Sequence, residues 1–255
     1  MENQTIQQTD QKNDAIKRML SAGVQYGRLK RFTQTRMRRH LMSSNIKNME
    51  IFNLDETNTG VEKVSEVIKK TIADSKKVLF VGTHAASIDA VKNMAVSLDQ
   101  PYVNFKWIGG FLTNFETVKS RLKYFNDLKE KVESGQIAEY STRDRVAAKK
   151  EYEKMAKSYE GVCQMSELPA LIFLVNGAYK MHQTVIREAR IKKIPIVGIA
   201  GSDNNPETFL AYIPANDRAP KSIAFIVQTL LERLGQNKPA DSVQDRIVEI
   251  TSSEE

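Results

Sequence analysis

What the chain lacks narrows its class before any motif is read. It has one cysteine, Cys163, so no disulfide can form within it, and a lone thiol without other soft ligands builds no structural zinc site. A reducing compartment fits. No apolar run comes near the roughly 18–20 residues that a membrane helix needs. The polar opening MENQTIQQTDQK has neither the charged nor the apolar region of a signal peptide, so a cytoplasmic place away from membranes is expected. With 12 Gly and 7 Pro among 255 residues, collagen-like and low-complexity classes are excluded, and 41% apolar residues suffice for a real core. The phosphate fingerprints G-x-G-x-x-G and G-x-x-x-x-G-K-[ST] are missing throughout. The three histidines, His40, His84 and His182, stand in unrelated contexts with no second metal ligand at helical or hairpin spacing. Asp203 and Asp217 read as turn formers, and no carboxylate pair divides acid and base roles. Neither an enzyme, a cofactor nor a small-molecule substrate is expected.

What the chain does have is basic charge in one place. Its formal net charge is +7. Between Asp14 and Glu50 there are nine Lys/Arg and no carboxylate, leaving 29 bases against 31 acids elsewhere, so this segment carries the whole excess. Concentrated cations bind polyanions where scattered ones do not. Arg28, Lys30, Arg31, Arg36, Arg38, Arg39 and Lys47 are therefore candidate phosphate ligands, with His40 as an added donor. Arginine suits the task because its planar fork donates paired hydrogen bonds. The competing reading is a solvated basic face.

The apolar pattern alternates between two periods. Short β-branched runs at 78–81, 102–105, 171–175 and 194–199 read as strands, most of them near-continuous, as parallel strands buried on both faces are. Weaker edge candidates lie at 49–53 and 211–213. Between them, Val61/Val64/Ile68/Ile72, Ala86/Ala90/Met94/Leu98, Val185/Ile186/Ala189 and Ile223/Ile226/Val227/Leu230 follow helical spacing. This order predicts an α/β fold with an open, doubly wound parallel sheet and helices on both faces. The long gap between the second and third strands breaks the rhythm. There Val118, Leu122, Phe125 and Val132 form one stripe, Ser134-Gly135 interrupts it, and Ala148, Tyr152, Met155 and Tyr159 form another. An inserted antiparallel coiled-coil hairpin is expected at 113–161, within a sheet domain made of 12–112 and 162–234, with disordered tails at 1–11 and 235–255. The competing reading lays these two helices flat on the sheet.

Two strand-to-helix turns invite inspection. In 80–87, FVGTHAAS, Gly82 permits a tight turn and a helix N-terminus could meet an anion, though such turns more often only connect elements. In 106–115, KWIGGFLTNF, the only Trp and a glycine pair follow a strand at the ligand-facing edge of such a sheet. Lys106, Trp107, Gly109, Gly110, Thr113 and Asn114 are candidate RNA contacts, and Thr113 or Asn114 is placed to cap the next helix. A Trp buried at the hairpin root is the alternative. A rival from another class makes a small-molecule or enzymatic pocket from the Gly82-Thr83 turn and the Trp107–Gly110 loop.

Taken in order, MLSAGVQYG at 19–27, FVGT at 80–83, KWIGGFLTNF at 106–115, LPAL at 168–171, IPIV at 194–197 and IPAND at 213–217 resemble the bacterial ribosomal protein S2 family from about Met19 to Leu234. The helical insertion matches the bacterial branch, since the archaeal and eukaryotic branch lacks the long hairpin. The resemblance implies a Rossmann-like (flavodoxin-like) sheet domain with a coiled coil, a structural place on small-subunit ribosomal RNA near the head–body junction, neighbouring ribosomal proteins as partners, and help in docking ribosomal protein S1. Family members usually carry histidines where this chain has Gln25 and Arg28, and an acidic residue at Gly201, where some relatives place a metal. With three such ligands replaced, no metal is expected. The segment FTQTR at 32–36 also departs from the family's aromatic and proline pattern.

Overall fold

A computed structural model describes residues 14–43, 46–134 and 141–235. Its order is α1 (residues 14–21), β1 (Tyr26–Leu29), β2 (Met49–Ile51), α2 (Leu54–Ala73), β3 (Val78–Val81), α3 (Ile88–Ser97), β4 (Tyr102–Val103), α4 (Phe115–Glu133), α5 (Thr142–Tyr159), β5 (Leu171–Val175), α6 (His182–Lys192), β6 (Ile196–Ala200), β7 (Ala211–Pro214) and α7 (Pro220–Arg233). The tails expected to be disordered lie outside the described residues except for Gly235, and so does Gly135 of the expected helix break.

Five strands form a parallel sheet in the order β4-β3-β5-β6-β7. Numbered within the sheet this is 2-1-3-4-5, the flavodoxin-like winding, whose switch point falls between β3 and β5. Every residue of β3, β5 and β6 is buried, which accounts for their continuous apolar sequence. Successive side chains enter opposite cores. Val78, Phe80, Leu171, Phe173 and Val175 pack with α2, α3 and α7 on one face, whereas Leu79, Val81, Ile172 and Leu174 pack with α6 and the base of α4 on the other. Local signals set the helix ends: the Asn53 side chain accepts from Asp55 N–H at 3.0 Å to start α2, and Pro220 occupies the first turn of α7.

The strand expected at 49–53 is not an edge of this sheet. It is β2, paired antiparallel with β1 in a separate two-stranded ribbon. β1 has the sequence Tyr-Gly-Arg-Leu and shows no apolar alternation, because neither of its faces is deeply buried. The helices α4 and α5 pack against each other, with the Phe125 and Tyr152 rings stacked at 5.8 Å and Tyr124 donating to Glu151 at 3.1 Å. Phe115, Val118, Leu122 and Phe125 of α4 belong to the same buried cluster as the strands, while α5 buries only Tyr159. The pair is thus rooted in the second core. Asn114 stands at the N-cap of α4, but its side chain makes no capping bond and accepts instead from the Thr117 hydroxyl at 2.9 Å.

Candidate nucleic-acid interface

The basic segment folds as 3₁₀ turns at Lys30–Phe32 and Thr35–His40 beside the β1/β2 ribbon. One apolar residue anchors it: Met37 is fully buried in the second core, which forces its neighbours Arg36, Arg38 and Arg39 outward. Loop 201–205 holds it from beneath, as Ser202 accepts from Arg28 N–H through its hydroxyl and from Gln34 N–H through its carbonyl, both at 2.8 Å.

Its cations divide into two groups. Arg28 Nε lies 3.4 Å from Asp203, an ion-pair distance, and Arg36 pairs with Glu207. Arg39 donates to the Tyr212 hydroxyl at 2.7 Å and to His40 Nε2 at 3.0 Å. His40 is half-buried, with Nδ1 3.3 Å from Glu56 and Nε2 2.7 Å from Tyr212. Burial, reinforced by the Arg39 charge, lowers its pKa, so a neutral ring donates from Nδ1 to Glu56 and turns the single Nε2 lone pair toward the Tyr212 hydroxyl and Arg39 Nε–H, which share it. Both ring nitrogens are thus engaged within the protein. Lys30, Arg38 and Lys47, by contrast, are exposed without ion partners among the described residues. Arg31 lies 4.7 Å from the centre of the half-exposed Phe32 ring, which Arg28 approaches at 5.5 Å.

The glycine-pair loop is organised by a residue that the sequence reading missed. Glu188, only 5% exposed, accepts from Trp107 Nε1 at 3.2 Å and Gly110 N–H at 2.8 Å through one oxygen, and from Leu112 N–H at 2.8 Å through the other. Gly110 has φ +85°, a conformation an L side chain would strain. Trp107 is 4% exposed and packs on Phe111, so it supports the loop from within. Lys106, Gly109 and Asn114 are exposed, and Thr113 and Gly110 half-buried. The available signal was a carboxylate sitting on the apolar stripe Val185–Ala189 of α6.

At the switch point, where such sheets bind nucleotides, the crevice is filled by the protein's own groups. A Cβ on Gly82 would lie 2.5 Å from Val91 and 2.9 Å from Ser87. Fully buried His182 accepts from Thr83 N–H at 3.2 Å, bonds its hydroxyl at 3.0 Å and reaches the Asn176 carbonyl through Nδ1 at 2.8 Å. His84 and His182 are not unrelated: both pack edge-on against Tyr179, at 5.3 and 5.2 Å. Burial lowers the pKa of each, His182 feeling His84 besides.

Beneath the basic segment, Asp217 is 2% exposed and accepts from Gly201 N–H at 3.1 Å and Asn204 Nδ2 at 3.0 Å. Burial, then the neighbouring Asp203 charge, pushes its carboxyl up to about 7. A Cβ on Gly201 would meet Asp217 Oδ1 at 2.5 Å, so the glycine makes room for this carboxyl. The positive charge beside Asp203 comes from Arg28 and from Arg218, at 3.0 Å. These residues do not fit a metal cradle, and no group of three or more potential ligands gathers among the described residues.

This fold and surface define a class: an α/β scaffold that keeps its crevice closed and turns a cationic arm outward. The ribosomal protein S2 family matches residues 19–235, and the chain belongs to it. It is 32% identical over 239 residues to small ribosomal subunit protein uS2 of Aeromonas salmonicida, covering 92% of this chain and 98% of that one. Against small ribosomal subunit protein uS2 of Borreliella burgdorferi it is 31% identical over 229 residues, or 90% and 87% of the two chains.

Proposed function

We propose that this chain is a structural constituent of the small ribosomal subunit, bound in a cytoplasmic, bacterial-type ribosome to ribosomal RNA near the head–body junction. The observation that carries the reading is the set of exposed cations left without ion partners among the described residues, Lys30, Arg38 and Lys47, beside Arg31 on its aromatic ring. Phosphate contacts of this kind position a protein on RNA without reading sequence. Exposed Phe32, Met42 and Ile46 interleave with them and suit a protein neighbour, so the proposal extends to help in docking ribosomal protein S1. The enzymatic rival loses its support at the filled switch point. No helix among the described residues is long and apolar enough to cross a membrane.

The test replaces Arg31, Arg38 and Lys47 together with Gln. Each lost duplex phosphate contact should flatten the log–log salt slope of ribosomal RNA binding by roughly 0.9, giving about 2–3 units in all. The melting temperature should hold, because exposed cations add little to folding stability. The variant should also fail to sediment with small subunits. If the unaltered protein does not sediment with them, the reading fails.

A further inference from the structure

A groove of about 820 Å³ runs between the Lys106–Gly109 loop and the α4/α5 pair, apart from the basic arm. Lys150, Lys154 and Lys157 line one wall at i, i+4 and i+7 spacing, which sets them on one face of α5. Arg121 of α4 and Lys106 of the loop complete it, and none of these five cations has an ion partner among the described residues. Only Glu151 and Glu153 oppose them, and Glu151 already accepts from Tyr124.

Phe105 lines the same groove, 55% exposed and two residues beyond the end of β4. It also borders a smaller hollow of about 210 Å³, shared with Asn104, Lys157 and Ser158. An exposed ring between a cationic groove and a small hollow of mixed polar and apolar lining matches the two needs of single-stranded nucleic acid, a charged track for the backbone and a platform for a base. The exposed backbone at Gly109, where an added Cβ would meet nothing within 4 Å, lets a strand approach closely.

We infer that this groove holds a single-stranded stretch of ribosomal RNA, with one unpaired nucleotide stacked on Phe105 and its base edge turned into the smaller hollow toward Asn104. Phosphates follow the lysine stripe of α5. The inference rests on the ribosomal RNA reading above and adds a second contact surface, selective for unpaired RNA.

The experiment measures anisotropy of labelled 12-nucleotide single-stranded RNA and a duplex of equal charge with the intact protein. Phe105→Ala should weaken single-strand binding about tenfold and leave the duplex unchanged, and Phe105→Trp should restore it. Replacing Lys150, Lys154 and Lys157 with Gln should flatten the single-strand salt slope by about 2, at roughly 0.7 per contact. All variants should melt with the parent. Unchanged affinity and slope in the groove variants, while the Arg31/Arg38/Lys47 variant still loses duplex binding, would overturn the groove and leave the ribosomal reading standing. No RNA binding by the unaltered protein overturns both. If the groove variants bind RNA normally but assemble into subunits lacking a neighbouring protein, the occupant is a protein and the inference fails.

Discussion

A carboxyl group shut away from water beside a second carboxylate has little means of staying charged, and Asp217 is in that position. Its pKa is pushed up to about 7 by burial and then by Asp203. The folded protein keeps a proton that the unfolded chain releases near pH 4, so stability is full below that pH and declines as pH rises toward and through 7. At about 1.4 kcal/mol per unit, the decline is on the order of 4 kcal/mol at most. Asp217→Asn should remove it: between pH 5 and pH 8 the melting temperature of the variant should gain several degrees relative to the parent. A pH-independent difference would show that Asp217 is ionised throughout. Glu188 is buried as well, and three N–H donors converge on its two oxygens. In Glu188→Gln one of those oxygens becomes a donor facing a donor, at a cost of roughly 1.5–3 kcal/mol. Trp107 is the only tryptophan, so its emission reports the loop directly and should shift to the red in the variant. An unshifted spectrum with parental stability would mean that the carboxylate does not hold the loop.

Among the elements, α4 and α5 differ in how firmly they belong to the sheet. Replacing residues 130–148 by a short Gly/Ser linker keeps every buried residue of α4 and the Phe125–Tyr152 stack, and should leave one cooperative transition within a few degrees of the parent. Removing 116–159 strips Val118, Leu122, Phe125, Leu128 and Tyr159 from burial. At roughly 2 kcal/mol each, that loss approaches the whole stability of an ordinary domain, so broad, non-cooperative melting is expected. A separable insertion is how the sequence reads, because the stripe on α4 looks the same whether α5 or the sheet covers it. The same limit applies elsewhere. β3, β5 and β6 were legible because burial on both faces leaves a continuous apolar run, whereas β1 was invisible because a shallow ribbon imposes no pattern on Tyr-Gly-Arg-Leu. The basic segment stood out as charge, yet charge alone could not reveal that Glu207 pairs Arg36 and Tyr212 pairs Arg39, since those partners lie more than 170 positions away. Glu188 was hidden for a related reason: its three donors sit about 80 positions earlier, on a loop whose shape they fix only once docked.

Across the whole molecule, the winding that other proteins use to hold nucleotides is retained while its crevice is filled by His182, Thr83, Ser87 and Val91. Calorimetry with ATP, GTP, NAD or flavin should give no appreciable isotherm. A micromolar, magnesium-dependent isotherm abolished by altering Gly82 would contradict this account. The same winding has a consequence in time. β3 lies between β4 and β5, and its register with β5 joins residues 93 positions apart, Val78 with Leu171 and Val81 with Leu174. The intervening chain includes the whole α4/α5 pair. At roughly 5–20 residues per second of synthesis, some 5–20 s pass between the emergence of Val78–Val81 and that of the strand which seals its second side. For that interval a growing chain carries Val-Leu-Phe-Val with one row of backbone donors and acceptors unmatched, an edge that can recruit a foreign strand. The inserted helices therefore act as a clock on the nascent protein, and any lengthening of them prolongs the exposure by the time taken to translate it.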